Sequence, residues 1–371
     1  MSLIISIGTA LPPYQHKQQA ILDFMLGVYQ PDERERRKLE ILYKKTGIDT
    51  RYSAIADYTV PTTERSFYPN SQNLEPFPTI EQRMEGYRQA ALPLALEAIQ
   101  SAQQQLDHTP EITHLITVSC TGMSAPGLDI ALLKALQLPS HTPRTSVNFM
   151  GCYAGFHALK QADLICQTDP EAVVLVTCVE LCTLHFQKVY DTDNLTANAL
   201  FADGAAAALV VSDKQAQQQK HKGLHLKRFY SEIMPEGASD MAWEIGSTGF
   251  LMTLSSYIPQ LIQKGIAPLI NHTLASLQIE VKDIDFWAIH PGGKRILEVV
   301  QQVFQLVTEQ LAGSFDTLKN YGNMSSVTIF FVWQYLWQKQ IDWEKTTRIL
   351  GVGFGPGLTI ETALLETKMN L

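Results

Sequence analysis

One pattern occurs twice in this chain and limits its fold more than any other feature. Residues 111–120 (EITHLITVSC) and 281–290 (VKDIDFWAIH) each read as an acidic loop leading into a short buried strand. Each follows a long helical segment with internal proline, 86–105 with Pro93 and 253–277 with Pro259 and Pro268. Each strand also ends on a residue with useful chemistry, Cys120 or His290. A duplicated α/β unit is the simplest account. The length of 371 residues agrees, because a single core stops growing near that size. The short apolar runs 1–8, 172–177, 206–211 and 348–352 read as strands of a sheet covered on both faces. The polar string 214–223 has linker composition and separates an N-terminal half, 1–222, from a C-terminal half, 223–371. Between Tyr58 and Thr79 the chain lacks apolar periodicity and reads as a long surface loop of the lid or wrap kind.

Composition excludes several classes of function. The sequence has 29 basic and 37 acidic residues, net charge −8, which disfavours binding nucleic acid through its phosphates. No apolar run approaches the roughly 18 residues of a membrane-spanning helix. Nor is the start basic enough for a signal peptide, so the expectation is a cytoplasmic protein without membrane insertion. Five cysteines, Cys120, Cys152, Cys166, Cys178 and Cys182, make an odd set without framework spacing, which fits a reducing compartment. Cys178 and Cys182 are not a zinc pair, since no second ligand pair follows at finger spacing, and no metal is expected.

Three polar residues stand in patterned settings. Cys152 lies where 147–151 turns into a helical pattern, a position at which the helix dipole should acidify a thiol. His290 is followed at once by Pro291-Gly292-Gly293, a turn that frees the imidazole to face a cavity. Asn323 sits in Tyr321-Gly322-Asn323-Met324-Ser325-Ser326 ahead of an apolar helix; taken alone it would be a helix cap. A thiolate nucleophile, an imidazole and a fixed neutral donor together suit acyl transfer through a thioester.

Five blocks carry a resemblance: 151–155 (GCYAG), 199–207 (ALFADGAAA), 290–293 (HPGG), 321–326 (YGNMSS) and 353–359 (GFGPGLT). Together they resemble the chalcone-synthase-like type III polyketide synthases, of bacterial type, in the thiolase superfamily. The resemblance spans nearly the whole chain. It implies a thiolase fold, a duplicated five-layered α-β-α-β-α architecture, and a homodimer that uses CoA thioesters as substrates without a further cofactor. It also assigns roles. Cys152 takes the starter acyl group, His290 keeps the sulfur ionised, and His290 with Asn323 stabilises the enolate formed when malonyl-CoA loses carbon dioxide. Phe201 matches the phenylalanine that gates the cavity, and Thr121, Cys182, Ser325, Gly355 and Pro356 belong to the implied substrate site. Lys38 and Lys45 match basic positions of the CoA face, with Gly292 and Gly293 nearby. Ile41 stands where an arginine is common, and Arg36 and Arg37 are candidates to compensate.

Departures from the family pattern concern substrate. Met252 replaces a second gating phenylalanine and is a flexible side chain that yields to different acyl groups. Ala125 replaces a methionine that plant members push across the dimer interface, which resembles synthases with a tunnel for long chains. His185 stands where smaller residues are usual and would narrow or redirect such a tunnel. The favoured reading is an enzyme primed by an aliphatic acyl-CoA, extending it with malonyl-CoA to an alkylpyrone or alkylresorcinol. Alternatives are a synthase using malonyl-CoA alone, an initiating ketoacyl-carrier-protein synthase with a single condensation, and a papain-like hydrolase. The last lacks a Cys-Gly-Ser-Cys-Trp setting, since Tyr153 follows Cys152 directly.

Overall fold

The computed structural model describes residues 2–255, 257–276 and 278–368. Met1 and Leu277, the start of the first expected strand and the end of the second helical segment, lie outside them. The N-terminal half runs β1 (Ser2–Ala10), β2 (Tyr14–Lys17), α1 (Gln18–Tyr29), α2 (Glu33–Lys45), β3 (Thr50–Ser53), α3 (Ile80–Gln103), β4 (His114–Ser119), α4 (Leu128–Ala135) and β5 (Arg144–Asn148). It continues with α5 (Ala154–Thr168), β6 (Val173–Leu181), α6 (Thr192–Leu200), β7 (Asp203–Ser212) and α7 (Asp213–Gln218). The C-terminal half runs β8 (Gly223–Ile233), β9 (Met241–Gly246), β10 (Gly249–Leu254), α8 (Ile258–Ala275), β11 (Phe286–Ile289), α9 (Lys294–Phe304), α10 (Ala312–Tyr321), α11 (Thr328–Lys339), β12 (Arg348–Gly355) and β13 (Thr359–Lys368).

The duplication is visible in strand order. One half pairs β1-β7-β6-β4-β5 and the other β8-β13-β12-β11, so β1, β7, β6 and β4 recur in order as β8, β13, β12 and β11, and β5 is an extra edge strand of the first half. In both halves the connection through a helix gives a parallel pair, β4 with β6 and β11 with β12, and the last strand returns antiparallel. The halves meet where β1 pairs antiparallel with β8 over Ser2–Ile4. Three apolar cores separate five layers. α3 covers the outer face of the first half-sheet, α5 and α11 fill the middle together, and α8 with α9 covers the second half-sheet. Fully buried strands such as β6, VVLVTCVEL, are apolar nearly throughout because helices cover both faces.

Three local expectations need correction. The string 214–223 is not an unstructured linker: Ser212 caps α7 by accepting from Gln215 N–H, and Gly223 already begins β8. The segment 58–79 is mostly irregular, yet it is no solvent-exposed filler. The buried Asp57 carboxylate accepts from the N–H groups of Ser66, Phe67 and Tyr68, folding the segment back so that Tyr58, Tyr68 and Leu74 enter the core. The second helical segment is also shorter than expected, since residues 253–254 finish β10.

Candidate active site

The three patterned residues are placed by backbone turns. Gly151 takes φ +83° just before Cys152, and a Cβ there would stand 2.2 Å from Pro356 Cδ, so the 353–357 segment closes directly over the cysteine loop. Cys120 Sγ accepts from Gly151 N–H at 2.9 Å and fixes the turn from beneath. His290 follows β11; its N–H donates to Val352 O at 2.7 Å, and Gly292 N–H returns to His290 O at 2.9 Å. Asn323 is tied to the Phe201 segment on both sides, its N–H donating to Leu200 O and its carbonyl accepting from Ala202 N–H, each at 2.9 Å. Ser325 N–H donates to Asn323 Oδ1 at 2.9 Å, which turns Nδ2 toward Gly292 O at 3.5 Å. Ser325 itself holds φ +49°, an uncommon conformation for a residue with a side chain.

Cys152, His290 and Asn323 line one cavity, together with Thr121, Cys182, His185, Phe201, Met252, Gly292, Ser325 and Pro356. Of the other expected site residues, Gly355 lies so close to Tyr153 that a Cβ there would stand 2.4 Å from the ring and 3.4 Å from the Cys152 nitrogen, and Gly293 caps α9; neither lines the cavity. Ala125 does not reach it either, lying exposed beside the cis Ala125–Pro126 bond. Lys38 and Lys45 are exposed on α2, one face apart by two turns, with exposed Ile41 between them. Among the described residues neither lysine has an acidic partner, whereas Arg36 and Arg37 pair with Glu40 and Glu33 on their own helix. Those arginines are therefore already engaged.

Burial dominates the electrostatics. It pushes the Cys152 thiol up to about 12, reinforced by the Glu180 carboxylate and opposed by contacts with Ser325 and Asn323. Burial likewise pushes His290 down to about 3, and neither ring nitrogen has a hydrogen-bond partner among the described residues. The expectation that a helix dipole acidifies Cys152 is thus overturned: α5 begins two residues later, at Ala154, and desolvation outweighs it. A proton moving from Sγ to the imidazole creates opposite charges that offset each other's desolvation.

Sequence reasoning missed Glu180, Trp243 and Phe250. Glu180 is fully buried, accepting from Cys120 N–H at 2.9 Å, Thr121 Oγ1 at 2.7 Å and Ser326 Oγ, and burial raises it to about 7. Its signal was a single carboxylate inside the otherwise apolar β6. His185 donates from Nε2 to Thr121 O at 2.7 Å and accepts Phe250 N–H on Nδ1 at 3.1 Å, so its tautomer is set. Its ring stacks on Phe250 at 4.3 Å, and Trp243 Nε1 donates to Cys120 O at 2.7 Å. These rings form a bonded aromatic floor.

Comparison with known proteins identifies the family. The family described as chalcone and stilbene synthases, N-terminal domain, matches residues 1–214, and the C-terminal domain of the same family matches residues 225–368. Among curated relatives, alpha-pyrone synthesis polyketide synthase-like Pks18 of Mycobacterium tuberculosis is 30% identical over 99% of this chain and 91% of its own length. Type III polyketide synthase C of Arabidopsis thaliana is 31% identical over 98% and 94%. Among solved structures, PKS-I from the brown alga Ectocarpus siliculosus superposes with a TM-score of 0.91 at 28% identity, covering 99% of this chain and 98% of that one. A type III pentaketide synthase from Neurospora crassa gives 0.86 at 27% identity, covering 99% and 100%. The chain belongs to the chalcone and stilbene synthase family and is an acyl-transferring, condensing enzyme, a type III polyketide synthase.

Proposed function

We propose that the enzyme loads an aliphatic acyl-CoA on Cys152, extends it with malonyl-CoA and closes the product to an alkylpyrone or alkylresorcinol. One observation carries this reading: a buried thiol, an imidazole whose nitrogens have no hydrogen-bond partner among the described residues, and an amide whose Oδ1 is held by Ser325 N–H all line one cavity. In the loading step Cys152 Sγ gives its proton to His290 and attacks the starter carbonyl; the bond to CoA sulfur breaks, and the CoA thiolate takes the proton. Malonyl-CoA then loses carbon dioxide. The electron pair of the broken C–C bond becomes an enolate, whose oxygen accepts from the His290 N–H and Asn323 Nδ2–H. Donors placed where charge develops in a dry cavity accelerate that step selectively. The enolate carbon attacks the Cys152 thioester, and the thiolate leaves, ready for the chain to return.

Exposed Lys38 and Lys45, on one face of α2, are the proposed CoA phosphate contacts, and a homodimer is the proposed assembly, in which Ala125 would reach a partner's site. Among the described residues no helix is long and apolar enough to cross a membrane. The pyrone product is favoured by the alpha-pyrone synthesis for which the mycobacterial relative is named and by the apolar residues around the cavity. The test is mass spectrometry of products from malonyl-CoA with acetyl-, hexanoyl-, dodecanoyl- and aromatic acyl-CoA. Products carrying two or more malonyl-derived units support the reading. A single condensation contradicts it in favour of an initiating ketoacyl synthase, and pyrones formed only without an acyl starter would make malonyl-CoA the sole substrate.

A further inference from the structure

The cavity extends well beyond the reacting atoms. Besides Cys152, its lining includes Cys182 and Thr183 of the turn after β6, Ile21 and Met25 of α1, Tyr58 and Phe186. Ile21 and Met25 are four residues apart on the buried face of α1, so both side chains meet the same space. The opposite direction is closed. His185 has both ring nitrogens bonded and is stacked on Phe250, while Trp243 is pinned to the Cys120 carbonyl, so opening that floor would break buried hydrogen bonds.

Polar groups around the lobe under α1 are directed into the protein. His16 bonds Thr59 Oγ1 and the Ile55 carbonyl, and Asn198 Nδ2 donates to Tyr29 Oη and Gln187 O. Arg51 is held by Gln18 and by the carbonyls of Asn198 and Phe201, with Nη2 alone lacking a hydrogen bond. What remains for a ligand is mainly apolar surface. At the far end stands Tyr58, whose hydroxyl donates to Thr183 O at 3.0 Å. The same ring also lines a surface groove with Phe24, Gly27, Val60 and Arg65, so Tyr58 is the shared wall between the inner lobe and the outside.

The geometry points to the lobe under α1, and not the floor at His185, as the seat of the starter's alkyl tail, with Tyr58 setting the chain-length limit. The inference deepens the proposed function and rests on it: the ligand is a linear fatty acyl group esterified to Cys152. Ile21, Met25 and Tyr58 are specificity-determining residues that touch the tail, remote from the bonds that change.

The test uses the wild-type enzyme and a dodecanoyl-CoA bearing a diazirine at its terminal carbon. After Cys152 is acylated, light expels dinitrogen and the carbene inserts into the nearest bond, and peptide mass spectrometry finds the site. Label within 18–29 or 52–60 is expected; label within 241–254 would overturn the assignment in favour of the floor. A protein that takes up no acyl group at all would defeat the synthase reading itself, which separates the two failures. In parallel, Met25→Trp should lower kcat/KM for dodecanoyl-CoA relative to acetyl-CoA by at least about tenfold. A ratio unchanged in Met25→Trp and in Ile21→Phe, with His185→Ala shifting it instead, would overturn the inference.

Discussion

The Ser325 backbone N–H donates to Asn323 Oδ1 at 2.9 Å, and this bond fixes which end of the carboxamide is left for the proposed thioester contact. Because Oδ1 is occupied, Nδ2 is the atom offered to a developing oxyanion. Ser325 adopts φ +49° to make the bond, so local backbone strain is exchanged for a preorganised donor. Asn323→Asp keeps an acceptor for Ser325 but puts a second acceptor where a donor is needed. Malonyl-CoA decarboxylation should fall about 10²- to 10³-fold in Asn323→Asp and Asn323→Ala, with acyl loading much less affected. Equal losses in both steps, measured by carbon dioxide release and by protein mass, would undo this division of roles.

His290 is the group available to take the Cys152 proton. Burial holds the Cys152 thiol well above its ordinary value, so without an imidazole to take the proton little thiolate forms at neutral pH. In His290→Gln, iodoacetamide inactivation at pH 7 should therefore slow by at least about tenfold and keep climbing as pH rises. The wild type should level off at lower pH. Identical pH profiles for the two proteins would contradict a proton transfer between Cys152 and His290.

Glu180 makes a stability prediction with a defined sign. Its folded-state pKa of about 7 lies above the ordinary 4.5, so between those values the folded protein binds more protons than the unfolded one. Stability from this group is present below pH 4.5 and lost as pH rises through 7, amounting to about 3 kcal/mol at full ionisation. Glu180→Gln should remove that loss. The difference in Tm between variant and wild type should grow in the variant's favour from pH 5 to pH 8, and a pH-independent difference would contradict it.

Gly151→Ala tests the closure of the 353–357 segment over the cysteine loop. The new Cβ would meet Pro356 Cδ at 2.2 Å with the backbone at φ +83°, and Pro356 is a rigid ring that cannot swing away. A destabilisation of about 1 to 3 kcal/mol or more is expected, with loss of acyl loading. Full loading and unchanged denaturant midpoint would show that the segment is free to move.

Much of this site was legible because its chemistry is local. The turns around Cys152, His290 and Asn323 are written in adjacent glycine and proline, and the repeated loop-strand pattern announced the duplicated halves. What escaped was non-local. Ile21 and Met25 read as an ordinary apolar face of α1, and only the packing of α1 against the Cys182 turn makes them cavity wall. Trp243 and Phe250 lie on a hairpin whose aim no spacing reveals, and His185 becomes a fixed floor only through the Thr121 carbonyl and the Phe250 N–H. The thiol's acidity was misjudged because helix position is local whereas desolvation depends on everything packed around it. Ala125 is absent from the lining of its own chain's cavity, and its proposed role lies across a dimer interface.

The central claim is that Cys152 carries the acyl chain, and intact-protein mass spectrometry after mixing with dodecanoyl-CoA reads it directly. The wild type should gain the mass of one dodecanoyl group per chain, located to the peptide containing Cys152, while Cys152→Ala gains none and forms no condensation product. Acylation of Cys152→Ala at wild-type stoichiometry, on Cys120, Cys182 or any other residue, with product still formed, would contradict the account.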